Sequence, residues 1–168
     1  MSNRILCGCL MIALAVATGS AQTKMTMSGK CQKPTKQDSI SIPDQQGHSL
    51  TLAQGTCTAT GDIGGAAGTT GIFSEHADAK GNQAKVWGVY VETLASGDKV
   101  FYDYSGTWTM NNGMPQSGSN KWQMSGGTGK MKGIKGSGTC KLTGAADGGS
   151  EYSCMGEYTM AGGMMSKQ

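Results

Sequence analysis

From Lys99 to Met110 the chain alternates. Val100, Tyr102, Tyr104, Trp108 and Met110 share one parity, and Asp103, Ser105, Thr107 and Thr109 share the other, with Phe101 the one apolar residue on the polar side. Successive side chains of a strand point to opposite faces, so this stretch reads as a strand with one buried face. Shorter copies of the pattern recur. Trp122 and Met124 share a parity, as do Cys140 and Leu142, and Tyr152, Cys154, Tyr158 and Met160. Earlier, Met25, Met27 and Cys31 fall together, and so do Leu50 and Leu52. Lys85 to Leu94 is rich in Val, Trp and Tyr, and Ser96-Gly97-Asp98 after it suits a hairpin turn. Thr69 to His76 is a weaker candidate.

About eight strands result, and no segment carries an amphipathic helical period. Glycine supplies the punctuation: there are 28, without the collagen period. Many short strands parted by Gly-rich turns predict an all-β fold, a small antiparallel β-barrel or a sandwich. The polar stretches 33–47, 61–71 and 111–118 read as loops or irregular crossings, the first and last containing proline. The tail after Met160 has no pattern and is expected to be loose.

The first 21 residues read as a secretory leader. Arg4 gives the charge, Ile5 to Ala17 the apolar run, and Gly19 and Ala21 the small residues before a cleavage point after Ala21. The run is short of the ~20 apolar residues that an ordinary spanning helix needs, so no stable membrane anchor is expected. Leu6-Cys7-Gly8-Cys9 resembles a lipidation site, but its cysteine precedes most of the apolar run instead of following it. The expected organisation is therefore a leader, 1–21, and one exported domain, 22–168, secreted or periplasmic. A net charge of only +3 argues against nucleic acid as a partner.

Cys7 and Cys9 leave with the leader, and Cys31, Cys57, Cys140 and Cys154 remain. In an exported domain these read as two disulfides, with three possible pairings. Position chooses among them. Cys140 and Cys154 lie symmetrically about Asp147, inside a Gly-rich turn, so a hairpin folding there sets them face to face. Cys31 and Cys57 lie symmetrically about Asp44, beside Pro43. The expected pairs are Cys140–Cys154 and Cys31–Cys57.

The run from Gly126 to Gly136 invites a phosphate-loop reading and fails it. The Walker pattern wants glycine where Met124 stands and a hydroxyl where Met131 stands. A tight corner between two strands, with its lysines in water, accounts for it. The stretch from Trp122 through Gly126-Gly-Thr-Gly-Lys-Met-Lys-Gly-Ile-Lys-Gly136 to Cys140 resembles the strand–corner–strand signature of bacterial exported proteins with an allene-oxide-cyclase-like, calycin-like barrel. The resemblance covers about 20 residues well and the strands from Lys85 to Met160 more loosely. It implies an eight-stranded barrel whose interior holds an apolar molecule, and by analogy a homo-oligomer. The cyclase's catalytic residues match no positions here, and the cysteines are not part of that signature.

Other chemistry is thin. His48 and His76 are the only histidines, no Gly-x-Ser-x-Gly elbow is present, and Glu75 and His76 point to opposite faces of a strand. Both histidines read as turn or surface residues. No metal site and no cofactor are expected from the motifs, although Met25, Met27 and the cluster from Met160 to Met165 have the soft thioethers that suit Cu(I). Three functions follow. The first is a non-enzymatic barrel that binds a small apolar molecule, lined by Trp87, Tyr102, Tyr104, Trp108, Trp122 and Tyr158; the same six also suffice for a packed core. The second is a cyclase or isomerase acting on an apolar substrate, which needs a buried carboxylate or tyrosine. The third is a Met-rich copper binder.

Overall fold

Alternation drives the segments with bulky inward residues into strand, and from Ala66 onward each strand returns antiparallel to the one before it. The computed structural model describes residues 22–161; the expected leader and residues 162–168 lie outside the described residues. Ten strands follow in chain order: β1 (Thr23–Cys31), β2 (Lys36–Ser41), β3 (Ser49–Thr60), β4 (Asp62–Ile63), β5 (Ala66–Lys80), β6 (Gln83–Leu94), β7 (Lys99–Asn111), β8 (Met114–Gly127), β9 (Lys135–Gly144) and β10 (Ser150–Thr159). Hairpin neighbours run from β5 through β10; β1 then pairs with β10 on one side and β3 on the other, and β3 pairs with β5. Those eight close an antiparallel barrel. β2 lies outside the ring against the first half of β3, and two-residue β4 clips onto β5. Among the described residues no helix is long and apolar enough to cross a membrane.

Three stretches expected to be loops carry strands. Residues 33–47 contain β2, whose six residues are all exposed, so no apolar pattern marks it. Residues 61–71 contain β4 and the start of β5. Residues 111–118 contain the β7–β8 turn, in which Asn112 and Gly113 both take positive φ, the geometry of a two-residue hairpin. Pro115 is tolerated just after it because the ladder slips there, between Thr109 and Met110, and a bulge needs no proline N–H.

The interior is built on a pairing of rings with glycines. Trp122 stands opposite Gly138, which stands opposite Gly156, and the indole lies across both: a Cβ on Gly156 would come within 2.6 Å of it. Tyr90 likewise fills the space over Gly71, and Trp108 the space beside Gly118. Large and small residues thus interdigitate across strands, as a narrow barrel requires. One end is plugged. Ile63, Leu94, Val100, Met131 and Ile134 are at most 2% exposed there, with Met131 held in a single 3-10 turn, Gly129–Met131, between β8 and β9. Met25 and Met27 pack into the same core.

Two disulfides staple the wall. Cys140–Cys154 joins β9 to β10 and Cys31–Cys57 joins β1 to β3, each between directly opposed residues. The β1–β3 ladder has only four rungs, Ser28 to Cys31 against Thr60 to Cys57, whereas β1 and β10 pair over the whole length of β1.

Candidate functional site

Beyond the plug the barrel holds a partly open cavity of about 130 Å³. It reaches Cys31 and Ser150, the last rung of the β1–β10 ladder. Its walls are rings and sulfur: Phe73 of β5, Tyr90 of β6, Tyr104 and Trp108 of β7, Trp122 of β8, and both disulfides. Ordinary ligand pockets run from ~300 Å³ upward. This one is nearer the ~150 Å³ of an apolar cavity that holds benzene.

Of the six expected lining residues, four face this space: Tyr102, Tyr104, Trp108 and Trp122. Trp87 does not line the interior. The inward parity of β6 is even, taking Ala84, Val86, Tyr90, Glu92 and Leu94, so Trp87 falls outside, 45% exposed and stacked on His76 at 5.4 Å. Tyr158 is inward and buried but belongs to the core beneath the cavity, where its hydroxyl accepts from the Gly64 N–H at 2.9 Å.

The carboxyl groups of the interior, Glu75 and Glu92, escaped the sequence reading. Tyr104 donates to Glu75 Oε2 at 3.0 Å, and Tyr102 donates to Glu92 Oε2 at 2.9 Å. Tyr90 and Tyr152 share a hydroxyl contact at 3.4 Å. Glu75 lines the cavity; Glu92, 1% exposed, lies deeper against Gly68. Burial raises Glu75 from 4.5 to about 7, against the lowering effect of the Tyr104 hydrogen bond. Burial raises Glu92 too, opposed by Tyr102. The phenols of Tyr90, Tyr102, Tyr104 and Tyr152 are pushed up, again chiefly by burial, so all four stay neutral donors. Two fully buried side-chain atoms of β8, Asn120 Oδ1 and Trp122 Nε1, have no hydrogen-bond partner among the described residues. Inward parity on β5 could have singled out Glu75, which shares its face with Phe73, but Gly71, Ala77 and Ala79 on that face and the exposed Ile72 on the other blurred the pattern.

No family model matches the chain, and no curated protein matches it. Among solved structures it is similar to a dirigent protein, the pterocarpan synthase GePTS1, with a TM-score of 0.51, 9% sequence identity, and coverage of 90% of this chain and 99% of that one. The two share a barrel. At that identity the likeness speaks to fold and not to chemistry.

The other titratable cluster lies outside the barrel. His48, buried in the β2–β3 turn, hydrogen-bonds Asp44 through Nδ1 and Asp78 through Nε2, the latter at 3.0 Å. It ties that turn to the end of β5. The bond to His48 holds Asp44 below the usual carboxylate range. Among the described residues no group of three or more His, Cys, Asp and Glu side chains is placed to hold a metal ion.

Proposed function

We propose that this chain is an exported barrel of the allene-oxide-cyclase-like kind that binds one small, mostly apolar molecule in its interior without transforming it. The observation that carries the reading is the partly open cavity inside the closed barrel, lined by Phe73, Tyr90, Tyr104, Trp108 and Trp122 and by both disulfides. An apolar occupant there exchanges water for rings and sulfur, which is favourable by about 25 cal/mol per Å² of apolar surface buried. The enclosed volume suits a group of roughly benzene's dimensions, and the open mouth leaves space for a longer molecule to extend beyond it. Two disulfides support an oxidising compartment, as the leader does.

Titration of the oxidised protein with benzene and cyclopentanol, followed by tryptophan fluorescence, tests this. Saturable one-site binding is expected for both probes. Absence of saturable binding by both probes refutes it. A second reading, a cyclase or isomerase, is favoured by Glu75 and Tyr104: a buried carboxyl near neutrality beside a phenol can move a proton at neutral pH. Mass spectrometry of the recovered ligand separates the two, since a binder returns it unchanged.

A further inference from the structure

Among the described residues that line the cavity, Glu75 is the one with an ionisable carboxyl, and no lysine, arginine or histidine accompanies it. His76, next in sequence, lies on the outer face against Trp87. Glu75 Oε2 accepts from Tyr104 at 3.0 Å. Oε1 takes no hydrogen bond from the described residues and is not among the sealed atoms of the interior, so it is open to an occupant. Nothing that faces this carboxyl balances its charge. β3 sets Ala53 opposite it, and β6 sets Gly88. The titratable groups around the cavity are Tyr90, Tyr102, Tyr104 and Tyr152, phenols that burial keeps neutral. Glu92, behind Tyr102, is a second acid, and burial raises it too. Burial holds Glu75 at about 7, opposed only by the Tyr104 hydrogen bond. Folding has thus taken a carboxylate out of most of its water and left it one hydrogen bond and no counter-ion.

We infer that the cavity takes a small organic ammonium ion, a protonated amine on a compact apolar body, whose N–H donates to Glu75 Oε1 while the body packs among the rings and disulfides of the wall. The inference rests on the binding reading above for its cavity and adds the charge of the occupant. An acid anion entering there meets a carboxyl and no cation. A metal ion needs several ligands, and among the described residues no such group is assembled. A neutral alcohol can donate to Oε1 but leaves the carboxylate without a counter-ion. An ammonium does both, through a charge-assisted hydrogen bond in a space where low dielectric strengthens the pairing. Aromatic rings add attraction wherever a ring face meets the cation.

Cyclopentylamine and cyclopentanol share a ring and differ in charge, and an aliphatic amine stays protonated to about pH 10, as a lysine does. Calorimetric titration of the oxidised wild-type protein at pH 8 is expected to show the amine binding at least about tenfold more tightly, as a hydrogen bond to a charged group supplies. As pH falls below about 7, protonation of Glu75 competes with the amine, so its affinity should drop by about tenfold per pH unit while the alcohol's changes little. In Glu75→Gln the amine's advantage and its pH dependence should both vanish. Equal affinity for amine and alcohol at pH 8, or an advantage that survives Glu75→Gln, overturns the inference and leaves the binding reading standing. Failure of benzene, alcohol and amine alike to bind removes both. Binding of the amine without the other two keeps the ammonium site and removes the apolar one. The wild-type comparison across pH decides the matter even if Glu75→Gln does not fold.

Discussion

Trp122 can lie flat against the wall only because its neighbours on β9 and β10 have no side chain. Adding one methyl at Gly156 puts a Cβ within 2.6 Å of the indole, closer than real carbon contacts allow. We expect Gly156→Ala to cost about 1–3 kcal/mol, the usual range for overpacking, and to alter the near-ultraviolet dichroism of Trp122. An unchanged urea midpoint would show that the ring has room to move. Glu75 gives a second expectation at this scale. Its folded-state value, about 7, lies above its ordinary 4.5, so between those pH values the folded protein holds more protons than the unfolded chain. Stability therefore falls as pH rises through that window, by on the order of 3 kcal/mol, and levels off above it. Glu92 acts in the same direction. In Glu75→Gln the fall in urea midpoint between pH 5 and pH 7.5 should be shallower, with the variant the more stable at the higher pH; an identical slope would exclude Glu75 as its source. Residues of this kind were hard to read from the chain. A carboxylate in a strand looks like a solvated one until its face is known, and parity reveals the face only where the inward residues are apolar.

Among the elements, strands with bulky inward residues were legible: β7, β9 and β10 follow their alternation, and the cysteine pairs on them and on β1 and β3 meet as their symmetry about the turns predicts. β5 was half hidden, because the small residues that admit its neighbours' rings carry no hydrophobic signal. β2 was invisible because it buries nothing, and the Asn112-Gly113 turn was obscured by Pro115, which argued for a loop. The weakest seam of the ring is β1 against β3, and Cys31–Cys57 sits on its last rung. Replacing both cysteines by serine should cost about 3–4 kcal/mol, from the closure of a 26-residue separation. Lost pairing along a four-rung ladder would add to that. The matching double replacement of Cys140 and Cys154 closes the shorter loop and leaves a full-length ladder intact, so its loss should be smaller. Urea midpoints of the two variants check the order, and the reverse order would mean that the seam does not depend on its disulfide.

At the scale of the molecule, the all-β class and about eight strands could be read from period and punctuation, which left barrel and sandwich open; closure was implied by the resemblance of the Trp122–Cys140 stretch, and the cavity could not be read at all. Its volume depends on how rings from separate strands interdigitate, and no local pattern records that. The Gly-Lys corner shows the same limit from the other side. Its backbone is already engaged, with the Lys130 N–H directed at Asp98 and those of Met131 and Lys132 bonded within the turn, so the corner has these amides turned inward and not toward a phosphate. Closure itself has a consequence in time. β1 is the first strand of the domain to leave the ribosome or a translocation pore, and its full-length partner, β10, is the last, with Thr23 waiting on Tyr158. Until the final strand arrives the ring is an open ribbon with two adhesive margins, and assembly must wait for the most distant pairing in the chain, the slow kind. A cell making this protein therefore has an interval, set by its rate of delivery, in which the chain needs shielding from its own copies.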